Sequence, residues 1–407
     1  MDDPYVFRNI LLIAGLHYAW NVGNLSSFDS TFLFHKVQSI RTINTWIENR
    51  TSSSLTLCVR HIATLCVVEC CLGNFSTAET HLDGLMLLLD SKEAYGTIPS
   101  TPKEDLDEEF TERYLIMAFN LVHSLKSRFD DFVISTLNPT LYSRHMDPKE
   151  IAHLIHQWHT QEVTGILPRL RAMNLFPSFL SPISPEVQIK KIDVQPILGC
   201  MQEITDAFEL RYSELYYGTG CALPYHLWAS GGPSKLLSAV IGAHISSITA
   251  HTNENLRSSE GIKSSWTGIC VAVGLYLTSV LGVWNQGYPA ENRLLHHILR
   301  ILRHDLEDSL AEVMINGTAA QDLWLWKAFL GALSLAHVVT AAGVGVCDAR
   351  LWNLVPDFNH YIQIWAGTTR ISMWQNARHR LENIVFPTHF QREGLAKELW
   401  NRALSAS

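Results

Sequence analysis

Three groups of residues in this chain have the types and spacing from which chemistry could be built. His81 and Asp83 form a His-x-Asp pair, the spacing of two ligands in a facial-triad iron site, whose chemistry needs two histidines and a carboxylate around open coordination positions. His153, His156 and His159 recur every third residue, and helical neighbours at that spacing can approach one metal ion. Phe129-Asp130-Asp131-Phe132 is the nearest approach to a carboxylate cluster that holds magnesium against a diphosphate.

Each group falls short of its chemistry. His81 and Asp83 lie in a segment of helical periodicity and read as helix residues rather than ligands. Successive steps of three drift around a helix, and the histidine triplet has no evident carboxylate or thiolate partner. Ile134 stands where a D-D-x-x-D motif needs its third Asp, and Asp305 to Glu312 lacks the spacing of a second magnesium motif. Neither G-x-S-x-G, H-E-x-x-H nor G-x-x-x-x-G-K-[ST] occurs, so the usual hydrolase, zincin and P-loop signatures are missing. The Gly-rich stretch Gly218 to Gly232, with Tyr225, His226 and Trp228, reads as a loop packed on aromatics. No catalytic, cofactor-binding or metal residue is assigned, and the chain is read as non-enzymatic.

The elements that would position such residues are helices. From Cys58 to Asp90, Ile62, Leu65, Cys66 and Leu72 give one apolar stripe before Gly73, and Ala78, Leu82, Leu85, Met86 and Leu89 give a second after it. Ser76 and Glu79 have capping-box spacing, as do Thr318 and Gln321, and Asp147-Pro148 with Glu150 reads as a further helix start. So short a turn between two stripes implies an antiparallel pair. From Tyr361 through Trp374 to Ile384 the period stays near 3.6 residues, which predicts one long helix ending before Pro387. Gly96–Glu112, Pro177–Pro196, Tyr217–Pro233 and Thr252–Lys263 read as loops. No alternating run calls for a sheet, and no fixed-period repeat supports a solenoid. The expectation is an all-α fold, a large multi-helix bundle of antiparallel helical hairpins. It spans 1–407 as one domain, with a candidate subdomain linker at 177–196.

Composition narrows the function classes. Hydrophobic residues make up 47% of the chain and charged residues only 17%, below the share of about a quarter usual in soluble domains, so much of the chain must be buried. A net charge of −8 and the lack of a basic arm argue against direct nucleic-acid binding by this chain alone, since phosphate neutralisation needs clustered cations. The densest cationic patch, Arg378-His379-Arg380 with Arg370, reads as a solvated helix face. The eight cysteines contain no C-x2-C pair, so zinc ribbons and disulfide scaffolds lack their spacing and the thiols read as reduced. Two nearly charge-free stretches, Trp266–Trp284 and Ala328–Cys347, approach membrane-span length. They read instead as buried helices, and no membrane association is expected.

One set of short motifs is more specific through its order. Phe7-Arg8, Ala14-Gly15-Leu16-His17-Tyr18-Ala19-Trp20, Phe34-His35-Lys36 and Ile43-Asn44-Thr45-Trp46 precede Ile62-Ala63-Thr64-Leu65, Glu69, Gly73-Asn74 and His81-Leu82-Asp83-Gly84-Leu85. Leu323-Trp324-Leu325-Trp326-Lys327 and Trp374-Gln375-Asn376-Ala377-Arg378 follow. Together they resemble the fungal-specific transcription factor domain, the regulatory region of fungal zinc-cluster transcription factors, over nearly the whole chain except Pro177–Lys263. The resemblance implies an all-helical nuclear domain that acts through protein partners, as a homodimer or heterodimer, or through a small-molecule effector. The six-cysteine cluster of those factors is not in this sequence, so zinc and DNA recognition carry over to no residue here. A small-molecule-binding protein or an enzyme of a fungal biosynthetic pathway, on the same helical scaffold, is the alternative expectation.

Overall fold

The computed structural model describes residues 29–49, 52–72, 74–94, 102–136, 189–216, 231–248, 261–283, 291–315, 317–342 and 348–405, with 7–8, 11–12 and 14–15 near the start. Among them the fold is all-α, as expected, and the strands are two residues long. In chain order the helices longer than one turn are α1 (Asp29–Asn49), α2 (Ser52–Cys71), α3 (Phe75–Ala94), α4 (Pro102–Thr136), α5 (Gln195–Tyr216), α6 (Gly232–Ile248), α7 (Trp266–Leu275), α8 (Asn292–Ile315), α9 (Thr318–Ala342), α10 (Val355–Thr369), α11 (Trp374–Glu382) and α12 (Glu393–Ser405), and a single helical turn, Ala349–Trp352, precedes α10. The chain divides into two compact units built from interleaved segments. One comprises Met1–Ile189 and Pro224–Ala250, the other Lys190–Leu223 and His251–Ser407. Of the stretch 177–196, residues 189–196 are described, and they hold strand β1 (Ile192–Asp193) and the start of α5.

In the first unit α2 is the central helix and packs on α1, α3 and α4. Its residues from His61 to Cys70 are buried on every face, which is how a helix apolar all round must sit. The hairpin of α2 and α3 is present. Leu72 and Asn74 turn back through their amides onto the Glu69 carbonyl, at 3.1 and 2.9 Å, and Ala78 then bonds to Asn74 at 3.0 Å. Ala78, Leu82, Leu85 and Met86 are buried along α3.

Two local expectations are corrected here. The helix starts at Phe75, so Ser76 lies inside its first turn rather than at the cap, and the Glu79 carboxylate pairs with Lys126 of α4. The acidic stretch read as a loop to Glu112 becomes helix from Pro102 onward. Proline suits a first helical position because the donor it lacks would be unpaired there anyway.

In the second unit α9 is the central helix, packed against α7, α8, α10, α11 and α12. Trp324, Trp326 and Phe329 are fully buried on it. The two indole N–H groups donate to the Leu306 and Val385 carbonyls, at 3.1 and 2.7 Å, which satisfies the only polar atom each ring takes out of water. Gly331 lies where α9 meets α10: a Cβ there would stand 2.1 Å from the Phe358 ring. α9 is long and apolar enough to cross a membrane, yet 83% of that apolar stretch is buried inside the unit. α7 is buried over its whole length and runs into a π-helical turn at Tyr276–Val280. β1 pairs antiparallel with β2 (Lys263–Ser264) and clips the start of α5 to the start of α7.

The long helix expected from Tyr361 to Ile384 is broken. Arg370 has φ 57° and ψ 32°, the left-handed conformation that ends helices. Just before it, the Thr368 and Thr369 hydroxyls donate back to the Ile364 and Trp365 carbonyls, both at 2.8 Å, competing with the helix ladder. The chain restarts as α11 at Trp374. The box expected at Thr318 and Gln321 is also rearranged. The Gly317 carbonyl takes the first amides of α9, while the Gln321 amide donates to the Met314 carbonyl and so caps the end of α8.

Candidate functional site

The densest meeting of motif residues lies in the first unit, where α1, the end of α2 and the start of α3 converge. Glu69 is fully buried. One carboxylate oxygen pairs with Lys36 of α1 and the other accepts from the Asn74 side chain at 2.9 Å. A buried carboxylate is tolerated only when charge and lone pairs are met in this way. His81 faces the same group: burial and the Lys36 charge depress its pKa, while Glu69 opposes them. Its Nε2 is buried without a hydrogen bond. Lys36, Glu69, Asn74 and His81 thus form a single neutralised knot that fixes the hairpin against α1. Asp83, two residues further round α3, is exposed, so the His-x-Asp pair diverges and does not make a ligand pair.

A second cluster in the same unit centres on Arg113 of α4, which is fully buried. Its guanidinium donates to Glu109 at 2.9 Å, to the Ser247 hydroxyl of α6 at 2.7 Å and to His244 Nδ1 at 3.0 Å. Because arginine can only donate, His244 accepts at Nδ1 and carries its proton on Nε2. Burial, with Arg113 adding to it, pushes the His244 pKa down to about 2, so the ring is neutral. The Arg113 and Arg60 guanidiniums lie 5.5 and 5.6 Å from the Phe110 ring centroid, within cation–π range. No sequence signal announces this cluster, since its partners are 131 and 134 residues apart.

In the second unit the corresponding centre is Lys327, the last residue of the Leu323–Lys327 motif. It pairs with Asp305 of α8, with side-chain exposures of 4% and 6%, and it donates to the Ser264 hydroxyl at 3.2 Å. The Ser265 hydroxyl donates to Asp305 and accepts from the Gly268 amide at 2.9 Å, capping α7. A Cβ at Gly268 would fall 2.2 Å from the Asp305 carboxylate, so glycine lets α7 close over the ion pair. Asp305 therefore serves the core, and Glu312 pairs with Lys191.

Of the cationic patch expected to be a solvated face, Arg370 and His379 are exposed, while Arg378 and Arg380 are tied down. Arg378 bonds Glu382, Glu393 and the carbonyls of Pro387 and Thr388. Arg380 bonds the buried Asp322 at 3.1 Å, whose pKa is raised by burial against the pull of Arg380. Only His379 of the three is largely exposed. Asp130 and Asp131 lie on α4. His153, His156 and His159, the start at Asp147-Pro148, and Tyr225, His226 and Trp228 lie outside the described residues. Among the described residues no group of three metal-ligating side chains comes together.

An apolar groove in the second unit runs between α9, α10 and α12, lined by Leu335, Val339, Trp352, Val355, Leu395 and Leu399, with a cavity volume of about 80 Å³. Sites that enclose a drug-sized ligand hold roughly 300–1,000 Å³. The groove can therefore take a side chain but cannot enclose such a ligand. Compared with family profiles, curated proteins and solved structures, the chain matches none of them.

Proposed function

We propose that this chain is a transcription-regulatory module without a DNA-binding zinc cluster of its own, acting through protein association or effector response in the nucleus. The observation that carries the reading is the knot of Lys36, Glu69, Asn74 and His81. Residues singled out by the order of short motifs, from three separate stretches of sequence, meet around one buried carboxylate. Lys327 and Arg378 from the later motifs hold the second unit together in the same manner. A motif series whose polar members neutralise one another is suited to framing a helical body, which leaves outward helix faces as the working surface.

The test is to tether the full chain to an unrelated DNA-binding domain upstream of a reporter in a fungal host. The expected result is a several-fold change in reporter expression, in either direction, relative to a tethered helical protein of similar size. Expression indistinguishable from that control overturns the reading.

A further inference from the structure

Three helices part around the groove between α9, α10 and α12, and the residues that line it set what it can hold. Ala332 and Ala336, one turn apart on α9, leave its depth, Leu395 and Leu399 of α12 make one wall, and Trp352, 41% exposed, stands at its rim. The cavity volume of about 80 Å³ is roughly half of the 150 Å³ in which an apolar cavity takes up benzene. It therefore suits a branched aliphatic tail of about three to five carbons. A partner helix seated in a groove needs pockets at successive turns, and one pocket of this size gives it a single anchor. Two polar groups add a chemical direction. Asn359 of α10 and Arg402 of α12 line the groove. They stand at neighbouring turns, because Gln363, one turn on from Asn359, donates to the Ala403 carbonyl at 2.6 Å. Arg402 Nη2 bonds Glu398 at 2.6 Å in an exposed i,i+4 pair, a kind that holds weakly. The other guanidinium hydrogens and the Asn359 amide are the donors that face a bound group. Thr340, also on the lining, directs its proton to the Ala336 and His337 carbonyls and offers no donor.

We infer that this groove is a binding site for a short branched-chain monocarboxylic acid, with the alkyl tail between α9 and α12 and the carboxylate on Arg402 and Asn359. The apolar lining accounts for the tail, since covering it removes alkyl surface and the groove wall from water together. One guanidinium matches one negative charge, and its planar fork suits a carboxylate. A neutral molecule of the same skeleton fills the groove equally well but forms no charge-assisted bond with Arg402. So few atoms in a half-open groove bind weakly, and the site works at high ligand concentration.

The site stands apart from the regulatory reading proposed above, and its test reads out separately from the reporter. Saturation-transfer NMR on the full chain at neutral pH compares isovalerate with isovaleramide and isoamyl alcohol, which carry the same branched tail without the charge. Isovalerate should bind saturably and about tenfold more tightly than either neutral analogue. Arg402→Gln, at an exposed position, should remove that preference and leave the binding of the neutral analogues unchanged. Val339 lines the groove, so Val339→Phe fills it and should abolish binding of all three, with circular dichroism confirming that both variants keep their helices. Absence of saturable isovalerate binding overturns the inference, as does equal affinity for the acid and the amide. A preference that survives Arg402→Gln, or binding that survives Val339→Phe, puts the acid elsewhere and overturns it too. A chain that alters the reporter yet binds no acid rejects this site alone and leaves the regulatory reading in place.

Discussion

Replacing Lys327 by methionine isolates the energetics of the second unit's core. The Lys327–Asp305 pair joins α9 to α8, and through Ser264 and Ser265 it reaches β2 and the first turn of α7. Two unit charges about 3 Å apart attract by roughly 5 kcal/mol at an effective dielectric constant near 20. Each ion also pays several kcal/mol on leaving water, so the intact pair comes out near neutral. Removing one partner is different, because the other keeps its desolvation penalty and loses its compensation. Lys327→Met preserves the length of the stem and leaves the Asp305 carboxylate with the hydrogen bond from the Ser265 hydroxyl. The expected loss is about 3–5 kcal/mol, whereas the double variant with Asp305→Leu should lie within about 2 kcal/mol of the wild type. Urea unfolding at neutral pH, followed by tryptophan fluorescence, reads this directly, because Trp324 and Trp326 are buried on the same helix. The coupling from the double-mutant cycle should exceed about 2 kcal/mol. Single variants that each cost less than about 1 kcal/mol, or a double variant equal to their sum, would refute the reasoning.

Other consequences follow from the same geometry. Gly331→Ala forces a methyl group against the Phe358 ring and should cost about 1–3 kcal/mol of stability, as overpacking does; a thermal midpoint equal to wild type would contradict the close α9–α10 approach. Lys36→Met should destabilise the first unit more than Glu69→Gln. The former leaves the fully buried Glu69 carboxylate with one side-chain donor, whereas Lys36, with 22% of its side chain exposed, can turn to water; chemical denaturation ranks the two. His123 and His337 are held down to about 4, and His244 to about 2, in each case mainly by burial. The folded pKa values are depressed, so the unfolded chain binds protons first. Stability is then full above the ordinary histidine value near 6.5 and is lost as pH falls below it, by up to about 1.4 kcal/mol per pH unit for each buried ring. An unfolding free energy that stays flat from neutral pH to pH 5 would count against neutral buried rings.

The sequence by itself determined the fold class and the hairpin of α2 and α3, because both follow from apolar residues recurring along a short window. It also picked out residues that matter structurally, among them Lys36, Glu69, Lys327 and Arg378, though it could not assign their partners. Asp305 was weighed as part of a metal motif and Arg380 as a surface charge; the tertiary structure gave them Lys327 and Asp322 instead. Partners are decided by packing between segments, as with Arg113 and His244, which are far apart in sequence. The break at Arg370 escaped for a related reason. The apolar period continues through it, while the choice between continuing and turning rests on a left-handed residue and two threonine hydroxyls that the period does not record. The helix beginning at Pro102 shows the converse, since a charged stretch that reads locally as loop can be held as helix once its inner turns, from Phe110 to Val122, are buried. Periodicity reports which face of a segment seeks burial, and only the assembled fold decides what that face meets.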